Sequence, residues 1–347
     1  MVADDHRGRP HPDLGSDILG QLDRLERCRR SGVENPDSSI GVYILRPEDL
    51  QEFHDFFDPL IRHHHHAPAG EQHVSDWGPR RDDHDGALDL AALGLAPVSM
   101  RVRVARNLAS FNLPGSMDRA ERVRFERTMV RALDALIAHP AFGGRIYSLT
   151  PHFGADGPNP NLISRREYQQ LVDARIMFKD MDADPYLKSA GLAADWPYGR
   201  ACYVSGDQAV IVWLGEEDHL RIICMQAGTR LNDVYDRLRD VVETIEALPG
   251  IAFAQDESFG YITSCPSNLG TGMRASIHVR MPHVTNSGVD VKAVCARVGL
   301  SVCGIAGDHS PIGADGTLDL SPTRRLCVRE SDIIRMLFDG ISRLAIS

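Results

Sequence analysis

The sequence has no long apolar run, no paired-cysteine motif and no excess of positive charge, and each absence excludes a class of protein. No stretch approaches the roughly 18 apolar residues that a membrane span needs. The seven cysteines are scattered without a CxxC pair, which disfavours a disulfide framework or structural zinc site and favours a reducing compartment. A formal charge of −10 disfavours nucleic acid as the main partner. The GxxxxGK[ST] phosphate loop and internal repeats are also absent.

What is present is the composition of an ordinary globular protein. The 347 residues are 43% apolar and 25% charged, and this length predicts about two domains. The first thirteen residues, MVADDHRGRPHPD, have no apolar core, so we expect no secretory signal and a cytoplasmic location. We expect no membrane partner, and the oligomeric state is open between monomer and homodimer.

Apolar spacing predicts the secondary structure. In an amino-terminal region, residues 1–74, helices are predicted over 16–31 and 47–64, and the run His63–His66 is interpreted as a solvated helix end rather than a metal site. Residues 75–97 are predicted to be a linker, and residues 98–347 a larger domain of mixed structure. Its predicted helices are 118–139, 164–179, 231–248, 289–298 and 329–345. Its predicted strands are 209–214, 220–225, 261–264 and 275–280, with a strand-like pattern again from 301. Ser164 and Glu167 form a predicted capping box.

Two charged segments are candidates for chemistry. In MRVRVAR, Arg101 and Arg103 fall on one face of an extended strand, and their guanidinium groups match phosphate geometry. A solvated basic strand edge is the alternative. In GEEDHLR (215–221), three acids lie between two apolar strands that we expect to pair antiparallel. This segment is either a charged hairpin tip or a carboxylate held near a substrate.

Two loops are further candidates. Residues 264–278, SCPSNLGTGMRASIH, begin at a predicted strand end, and their Gly, Asn, Thr and Ser precede an arginine, so backbone amides there can line an anion. Residues 304–316, GIAGDHSPIGADG, have the composition of a mobile segment, either a lid or a plain surface loop.

Together these segments resemble the phosphagen (ATP:guanidino) kinase family, with arginine kinases as the nearest branch. The signature is CPSNLGTGMRASIH (265–278), supported by GEEDHLRIICMQ (215–226), SMRVRVARNL (99–108), and DWP (195–197) with Arg200. SGVENPDSSIGVY (31–43) is similar to the guanidine specificity loop of arginine kinases. The resemblance extends over about residues 15–345. It implies an α+β fold: a small all-helical amino-terminal domain that determines guanidine specificity, and a larger catalytic domain with an antiparallel β-sheet flanked by helices.

The resemblance also implies roles for individual residues. The implied substrates are ATP or ADP, with Mg²⁺, and a guanidino small molecule, most simply L-arginine. Nucleotide contacts are implied for Arg101, Arg103, Arg221, Arg274, His278 and Arg175. Catalytic roles are implied for Glu217, for Cys265 as a thiolate and for Asp308, while Glu216 supports the magnesium shell through water and is not a direct ligand. Ser38, Ile40, Gly41 and Tyr43 would line the far end of the guanidino substrate.

Three positions depart from the family pattern. Cys303 stands where the family has a fifth phosphate-binding arginine, Asp308 where arginine kinases have Glu, and Arg175 where a histidine stacks on adenine. The carboxylate at Asp308 favours an unmethylated guanidine such as arginine, and an arginine can also stack on a base.

Three hypotheses about function follow from this reading. The first is an active arginine kinase. The second is a kinase for arginine side chains in proteins, because RVRVARNL is similar to that branch, although those enzymes lack the helical specificity domain. The third is a weakly active or degenerate member that binds nucleotide or guanidine, which Cys303 motivates.

Overall fold

The computed structural model describes residues 14–80, 87–154, 157–285, 290–303 and 317–346. The helices in these ranges are α1 (Leu14–Glu34), α2 (Asp49–Glu52), α3 (His54–His65), α4 (Arg119–Ala138), α5 (Arg165–Asp173), α6 (Pro185–Ser189), α7 (Leu231–Glu246), α8 (Pro282–Thr285), α9 (Val291–Arg297) and α10 (Glu330–Ile346). The strands are β1 (Val98–Arg106), β2 (Arg145–Ser148), β3 (Ala201–Val204), β4 (Val210–Leu214), β5 (Leu220–Gly228), β6 (Gln255–Asp256), β7 (Gly260–Tyr261), β8 (Met273–Arg280), β9 (Leu300–Cys303) and β10 (Thr317–Pro322). No helix in the described ranges is long and apolar enough to cross a bilayer.

Eight strands form one sheet in the order β2-β3-β4-β5-β1-β8-β10-β9, and every pairing in it is antiparallel. Side chains alternate between the two faces of a strand. In β1, Met100, Val102 and Val104 therefore face one way and pack into the main apolar core. Helices α7 and α10 contact the sheet, and α4 contacts α7. Arg101 and Arg103 face the opposite way.

The α+β fold implied by the resemblance is confirmed. The predicted hairpin exists, since β4 pairs antiparallel with β5, and the predicted strand over 275–280 lies within β8. The predicted capping box at Ser164 and Glu167 is also present. Each of these segments has a strong local sequence pattern, so its secondary structure could be predicted without knowledge of its tertiary contacts.

Two predicted helices end or break earlier than expected. The helix predicted over 164–179 ends at Asp173, and Arg175 has a φ of 59°, which an α-helix cannot continue. The helix predicted over 47–64 is divided into α2 and α3 at Phe53, whose φ of −114° and ψ of 36° are not helical. Apolar spacing alone does not reveal such backbone breaks.

Strand predictions were less complete. The short strands β2 and β3 were not predicted. The strand predicted over 261–264 is wrong beyond Tyr261, because β7 is only two residues long and pairs with β6 outside the large sheet. After Tyr261 the chain runs into a loop in which the backbone N–H of Ser264 donates to Asp218 at 2.7 Å. At Ser264, a side-chain carboxylate therefore takes the place of a neighbouring strand as the hydrogen-bond acceptor.

The amino-terminal helices share a core with the larger part of the chain. Phe57 and Ile61 of α3 pack with Phe259, Leu269 and Leu326. The segment predicted to be a linker is also attached: Ser75 Oγ and the backbone N–H of Asp76 donate to the Glu330 carboxylate at 2.8 and 2.7 Å. The helical region is thus held against the loops that contain Phe259, Leu269 and Leu326.

Candidate active site

Four arginines share one face of the central three strands. Arg103 of β1 lies directly opposite Arg274 of β8, and Arg221 of β5 lies opposite Ala105, two residues along from Arg103. Directly paired residues point to the same side of a sheet, so these guanidinium groups converge with that of Arg101. Burial, followed by the charges of neighbouring arginines, lowers the pKa of Arg101 to about 10 and holds the pKa of Arg103 well below its ordinary value. An anion bound at this face would relieve that repulsion.

A cavity of about 640 Å³ opens over this face. Its charged lining includes Arg101, Arg103, Arg274 and His278. Val172, Met177, Phe178, Trp213 and Met225 supply apolar lining. A cavity lined by both cationic and apolar side chains suits a ligand that combines phosphate groups with a flat aromatic ring.

A second cavity of about 210 Å³ adjoins the first, because Arg103 and Arg274 border both. The smaller cavity is polar, and Glu217 and Arg325 lie on its wall. Arg103 and Arg274 lie between the Glu217 side of this cavity and the larger cavity. A cationic group held by Glu217 would therefore lie beside an anion held by the arginines.

The acidic turn between β4 and β5 is divided between two tasks. Glu216 and Glu217 both bind Arg221, whose Nη2 lies 2.9 Å from Glu216 Oε2 and 3.0 Å from Glu217 Oε2. Burial raises the pKa of Glu217, and Arg221 opposes that rise. Asp218 instead accepts hydrogen bonds from Asn107 Nδ2 and the Ser264 backbone N–H, both at 2.7 Å. Glu216 and Glu217 therefore line the two cavities, whereas Asp218 holds the turn in place through its hydrogen bonds.

His219 completes this anchoring and takes no part in the cavities. Its ring is fully buried, and Nδ1 accepts from the Leu108 backbone N–H at 2.9 Å. Nε2 then donates to the Asn112 carbonyl at 3.0 Å. Burial lowers the pKa of His219 to about 3, so the ring is neutral. Asp218 and His219 join the turn to the end of β1, which keeps Glu217 near the arginines.

Cys265 lies near Glu217 in a buried environment. Burial first, and the charge of Glu217 second, raise the pKa of the Cys265 thiol to about 12. The Cys265 Sγ and Ser267 Oγ are 3.0 Å apart. The thiolate role that the resemblance implies for Cys265 stays a prediction; burial and the negative charge of Glu217 favour the thiol form.

The loop of Ser38, Ile40, Gly41 and Tyr43 reaches the same place from the helical region. The Ile44 backbone N–H donates to the Ser264 carbonyl at 2.8 Å, and Tyr43 and Cys265 belong to one apolar cluster. Burial, Glu217 and Cys265 raise the pKa of Tyr43. The loop is tightly held to α1, since Gly41 has a φ of +70° and a Cβ added at Gly32 would lie 2.6 Å from the Gly41 carbonyl oxygen.

The remaining predicted residues lie at the margins. Arg175 is exposed at the mouth of the larger cavity. His278 Nε2 lies 3.8 Å from Asp319 Oδ2 on the cavity floor. Cys303 is at the end of β9, where Arg274 Nη2 donates to its sulfur at 3.4 Å. Asp308 and the predicted lid, 304–316, lie outside the described residues.

Sequence reasoning missed two contributors to this region. Arg325 borders the smaller cavity. His65 was interpreted as part of a solvated run, and for this residue that is wrong: its Nε2 donates to the Pro266 carbonyl at 2.9 Å, and burial lowers its pKa to about 4. The adjacent pair Arg324 and Arg325 was visible, but no periodicity indicated which of the two faces inward.

The fold agrees with comparisons to known proteins. Residues 153–346 match the sequence model of the ATP:guanido phosphotransferase C-terminal catalytic domain, and residues 23–62 match that of the N-terminal domain. Arginine kinase Oct f 2 of Amphioctopus fangsiao is 34% identical over 320 residues, which are 92% of this chain and 86% of that protein. An arginine kinase of Anthopleura japonica is 37% identical over 320 residues, 91% of this chain and 42% of its own length.

Solved structures give the same picture. The substrate-free duplicated taurocyamine kinase of Schistosoma mansoni superposes with a TM-score of 0.79 at 31% identity, covering 92% of this chain and 43% of that one. A lombricine kinase superposes with a TM-score of 0.78 at 24% identity, covering 92% of this chain and 84% of that one, and supports the fold alone. The chain thus spans less than half the length of the Anthopleura and Schistosoma proteins.

Proposed function

Because the chain belongs to the ATP:guanido phosphotransferase family, we propose that it reversibly transfers the γ-phosphoryl group of ATP to a guanidine nitrogen, with L-arginine as substrate. The observation that carries this proposal is the convergence of Arg101, Arg103, Arg221 and Arg274 with Glu217 on two adjoining cavities. The larger cavity would hold the nucleotide, and the smaller one the guanidine.

The arginines would act mainly by electrostatics. Phosphoryl transfer spreads negative charge over the oxygens of the moving group, so catalysis depends on placement and on charge stabilisation. Arg103 and Arg274 lie at the junction of the two cavities, where the γ-phosphoryl group would pass. The pairing of β1 with β8 already places these two arginines opposite each other before an anion arrives, which limits reorganisation during the reaction.

Glu217 would orient the nucleophile and accept its proton. A guanidinium must lose a proton before its nitrogen attacks phosphorus, and a carboxylate with a raised pKa is a better base than an ordinary one. Glu217 has that raised pKa because it is buried. Holding both partners in contact can contribute roughly 7–11 kcal/mol to lowering the barrier.

Mg²⁺ would enter with the nucleotide. The described residues contain no group of three or more His, Cys, Asp or Glu side chains able to hold a metal ion. Glu216 borders the larger cavity and points its carboxylate toward Arg221. This donor set fits an ion that keeps its waters and is bound through substrate phosphates, with Glu216 accepting from a bound water. The ion would supply neutralisation of phosphate charge.

L-arginine is favoured over other guanidines by the relatives. Curated proteins named arginine kinase match at 32% and 37% identity. The loop containing Ser38 and Tyr43, predicted to contact the far end of the substrate, approaches Cys265 and Glu217, which supports a role in choosing that substrate. The taurocyamine kinase among the structural neighbours makes taurocyamine a guanidine to compare.

A coupled assay of ADP release tests the proposal directly. The purified chain is given ATP and Mg²⁺ with arginine, creatine, glycocyamine, taurocyamine or lombricine. We expect turnover to be highest with arginine and to disappear in Glu217→Gln, which keeps the size of the side chain and removes the base. Higher turnover with another guanidine would replace arginine as substrate, and transfer to denatured protein instead of free guanidine would indicate a protein-arginine kinase.

A weakly active, nucleotide-binding protein is the second candidate, and Cys303 favours it. Its sulfur accepts from Arg274 at 3.4 Å, on the face where a further arginine would add charge. If the missing charge limits turnover, Cys303→Arg should raise kcat, by analogy with a single transition-state donor, by roughly 10²–10³-fold. Wild-type turnover of tens per second, unchanged in this variant, would rule the second candidate out.

A further inference from the structure

The loop from Cys265 to Gly272 forms part of the wall of the smaller cavity, and its far end is fixed by the backbone of one residue. The Thr271 backbone N–H donates to the Arg325 carbonyl at 3.1 Å. Gly270 has a φ of +94°, and a Cβ added there would lie 2.3 Å from the same carbonyl oxygen. The chain therefore passes Arg325 in direct backbone contact.

The side chain of Arg325 binds the other end of the same loop. Its Nη1 donates to the Ser267 carbonyl at 3.1 Å and to Asn268 Oδ1 at 2.6 Å. A charged donor to a neutral acceptor makes a stronger hydrogen bond than two neutral groups do. One residue thus holds the loop through its carbonyl at 271 and through its guanidinium at 267 and 268, two or three residues after Cys265.

A second anchor holds the loop from the amino-terminal side but has a different character. His65 Nε2 donates to the Pro266 carbonyl at 2.9 Å, and this histidine is neutral because burial lowers its pKa. Arg325, in contrast, borders the smaller cavity together with Glu217 and Arg103. Its charge is one of those that lower the pKa of Arg103, so it acts on the arginine cluster as well as on the loop.

We propose that Arg325 is a positioning residue for phosphoryl transfer: it holds the Cys265 loop against the smaller cavity and adds a fourth arginine charge there. Its effect on turnover depends on the proposed function, whereas its effect on the loop does not. The neighbouring Arg324 has the same charge but is exposed. The two residues therefore form a matched pair, one turned toward the cavity and one toward solvent.

The loop is tested in the full chain without substrates. The rate at which iodoacetamide alkylates Cys265 is followed by peptide mass spectrometry in wild type, Arg325→Gln, Asn268→Ala and Arg324→Gln. We expect about tenfold faster alkylation in the first two variants, because loss of these hydrogen bonds makes local opening easier. Arg324→Gln should match wild type. Equal rates in Arg325→Gln and wild type would overturn the anchoring of the loop.

Turnover tests the second half of the proposal. In Arg325→Gln we expect kcat to fall about 10²-fold, as a small misplacement in an active site does, with KM for ATP within about threefold of wild type. Arg325→Lys, which keeps the charge but not the fork, should recover part of kcat. A higher KM for ATP with unchanged kcat would contradict a positioning role. An equal loss of kcat in Arg324→Gln would contradict it too.

Two outcomes keep the inference separate from the proposed function. If wild type has no guanidine-dependent turnover, the proposed function fails, and the alkylation rates still decide whether Arg325 holds the loop. If Arg325→Gln does not fold, as judged by its thermal unfolding, Arg325→Lys and Asn268→Ala carry the same two measurements. Wild-type alkylation rates in both of those variants would then refute the anchoring.

Discussion

The two faces of β1 use arginine in opposite ways. Arg106 points away from the cavities and is fully buried, with its guanidinium 3.4 Å from the centroid of the Tyr261 ring. It donates to the carbonyls of Ala105 and Thr271 at 2.8 and 2.9 Å. Arg103 lies on the other face, beside Arg274, where like charges hold its pKa low. Identical side chains three residues apart therefore differ in their surroundings: Arg106 is bonded to carbonyls in the core, and Arg103, for which we propose phosphate binding, faces other arginines.

Arg200 follows the pattern of Arg106 rather than that of Arg103. It is fully buried, and its guanidinium donates to the carbonyls of Leu192 and Tyr198 at 2.7 and 2.9 Å. The family motif DWP with Arg200 therefore stabilises the segment before β3. A buried guanidinium bonded to backbone carbonyls contributes to folding, whereas one facing like charges is available to an anion.

The largest effect is expected from Arg103→Gln. Removing one donor to the developing phosphate charge should lower kcat roughly 10²–10³-fold. Because Arg103 is surrounded by other arginines, its loss should leave the thermal unfolding temperature unchanged or raise it. Steady-state kinetics measures kcat, and calorimetry measures the unfolding temperature. A variant that loses stability and keeps kcat would show that Arg103, like Arg106, is a structural arginine.

Arg106→Gln should show the opposite behaviour. The shorter side chain loses charge-assisted hydrogen bonds to two carbonyls that stay buried, so the free energy of unfolding should fall by about 1.5–3 kcal/mol. Urea unfolding measures this loss. The folded fraction should keep KM for ATP close to wild type, and an unchanged unfolding midpoint would show that Arg106 is not a structural arginine.

The pH dependence of kcat/KM tests whether Glu217, beside the arginine face of β1, is the base. Its pKa is raised by burial, so the carboxylate takes up a proton at a higher pH than an ordinary glutamate, whose pKa is about 4.3. Activity should be lost as pH falls through that raised pKa, about tenfold per pH unit below it. An acid limb at or below the ordinary value would show that Glu217 is not the base.

The smallest effect concerns the start of α5, a helix whose last turn contributes Val172 to the larger cavity. Ser164 caps α5 by accepting from the Glu167 backbone N–H at 3.2 Å. Ser164→Ala should lower the free energy of unfolding by about 1 kcal/mol. Turnover should not change. Thermal unfolding and kcat are measured together, and a loss of kcat would mean that α5 influences the adjacent cavity wall.

Much of the site could be predicted from the sequence because its signals are local. The spacing of Arg101 and Arg103 predicts a shared face wherever the strand lies, and the turn between two apolar strands locates Glu216 and Glu217. The family resemblance supplied the partners on β5 and β8. It did not reveal that Asp218, inside the same acidic run, is bound to Asn107 and Ser264 instead.

Other features had no local signal. His65 belongs to a run of four histidines, and only the packing of α3 against the Cys265 loop distinguishes it from its neighbours. The Cys265 thiol illustrates the same limit, because its raised pKa comes from burial and from a carboxylate 48 positions earlier in the chain. Charge state depends on surroundings that sequence spacing does not describe.

By itself, the sequence determined the hairpin of β4 and β5, the capped start of α5 and the common face of Arg101 and Arg103, since each follows from alternation, apolar spacing or a neighbouring polar group. The α+β class was implied by the resemblance to a known family. Only the tertiary structure decided that Arg103 meets Arg274, that Arg106 lies in the core, and that Arg325 rather than Arg324 borders the cavity. The physical reason is that burial and electrostatic interaction depend on distance in space, and strand register and loop packing bring together residues far apart in the chain.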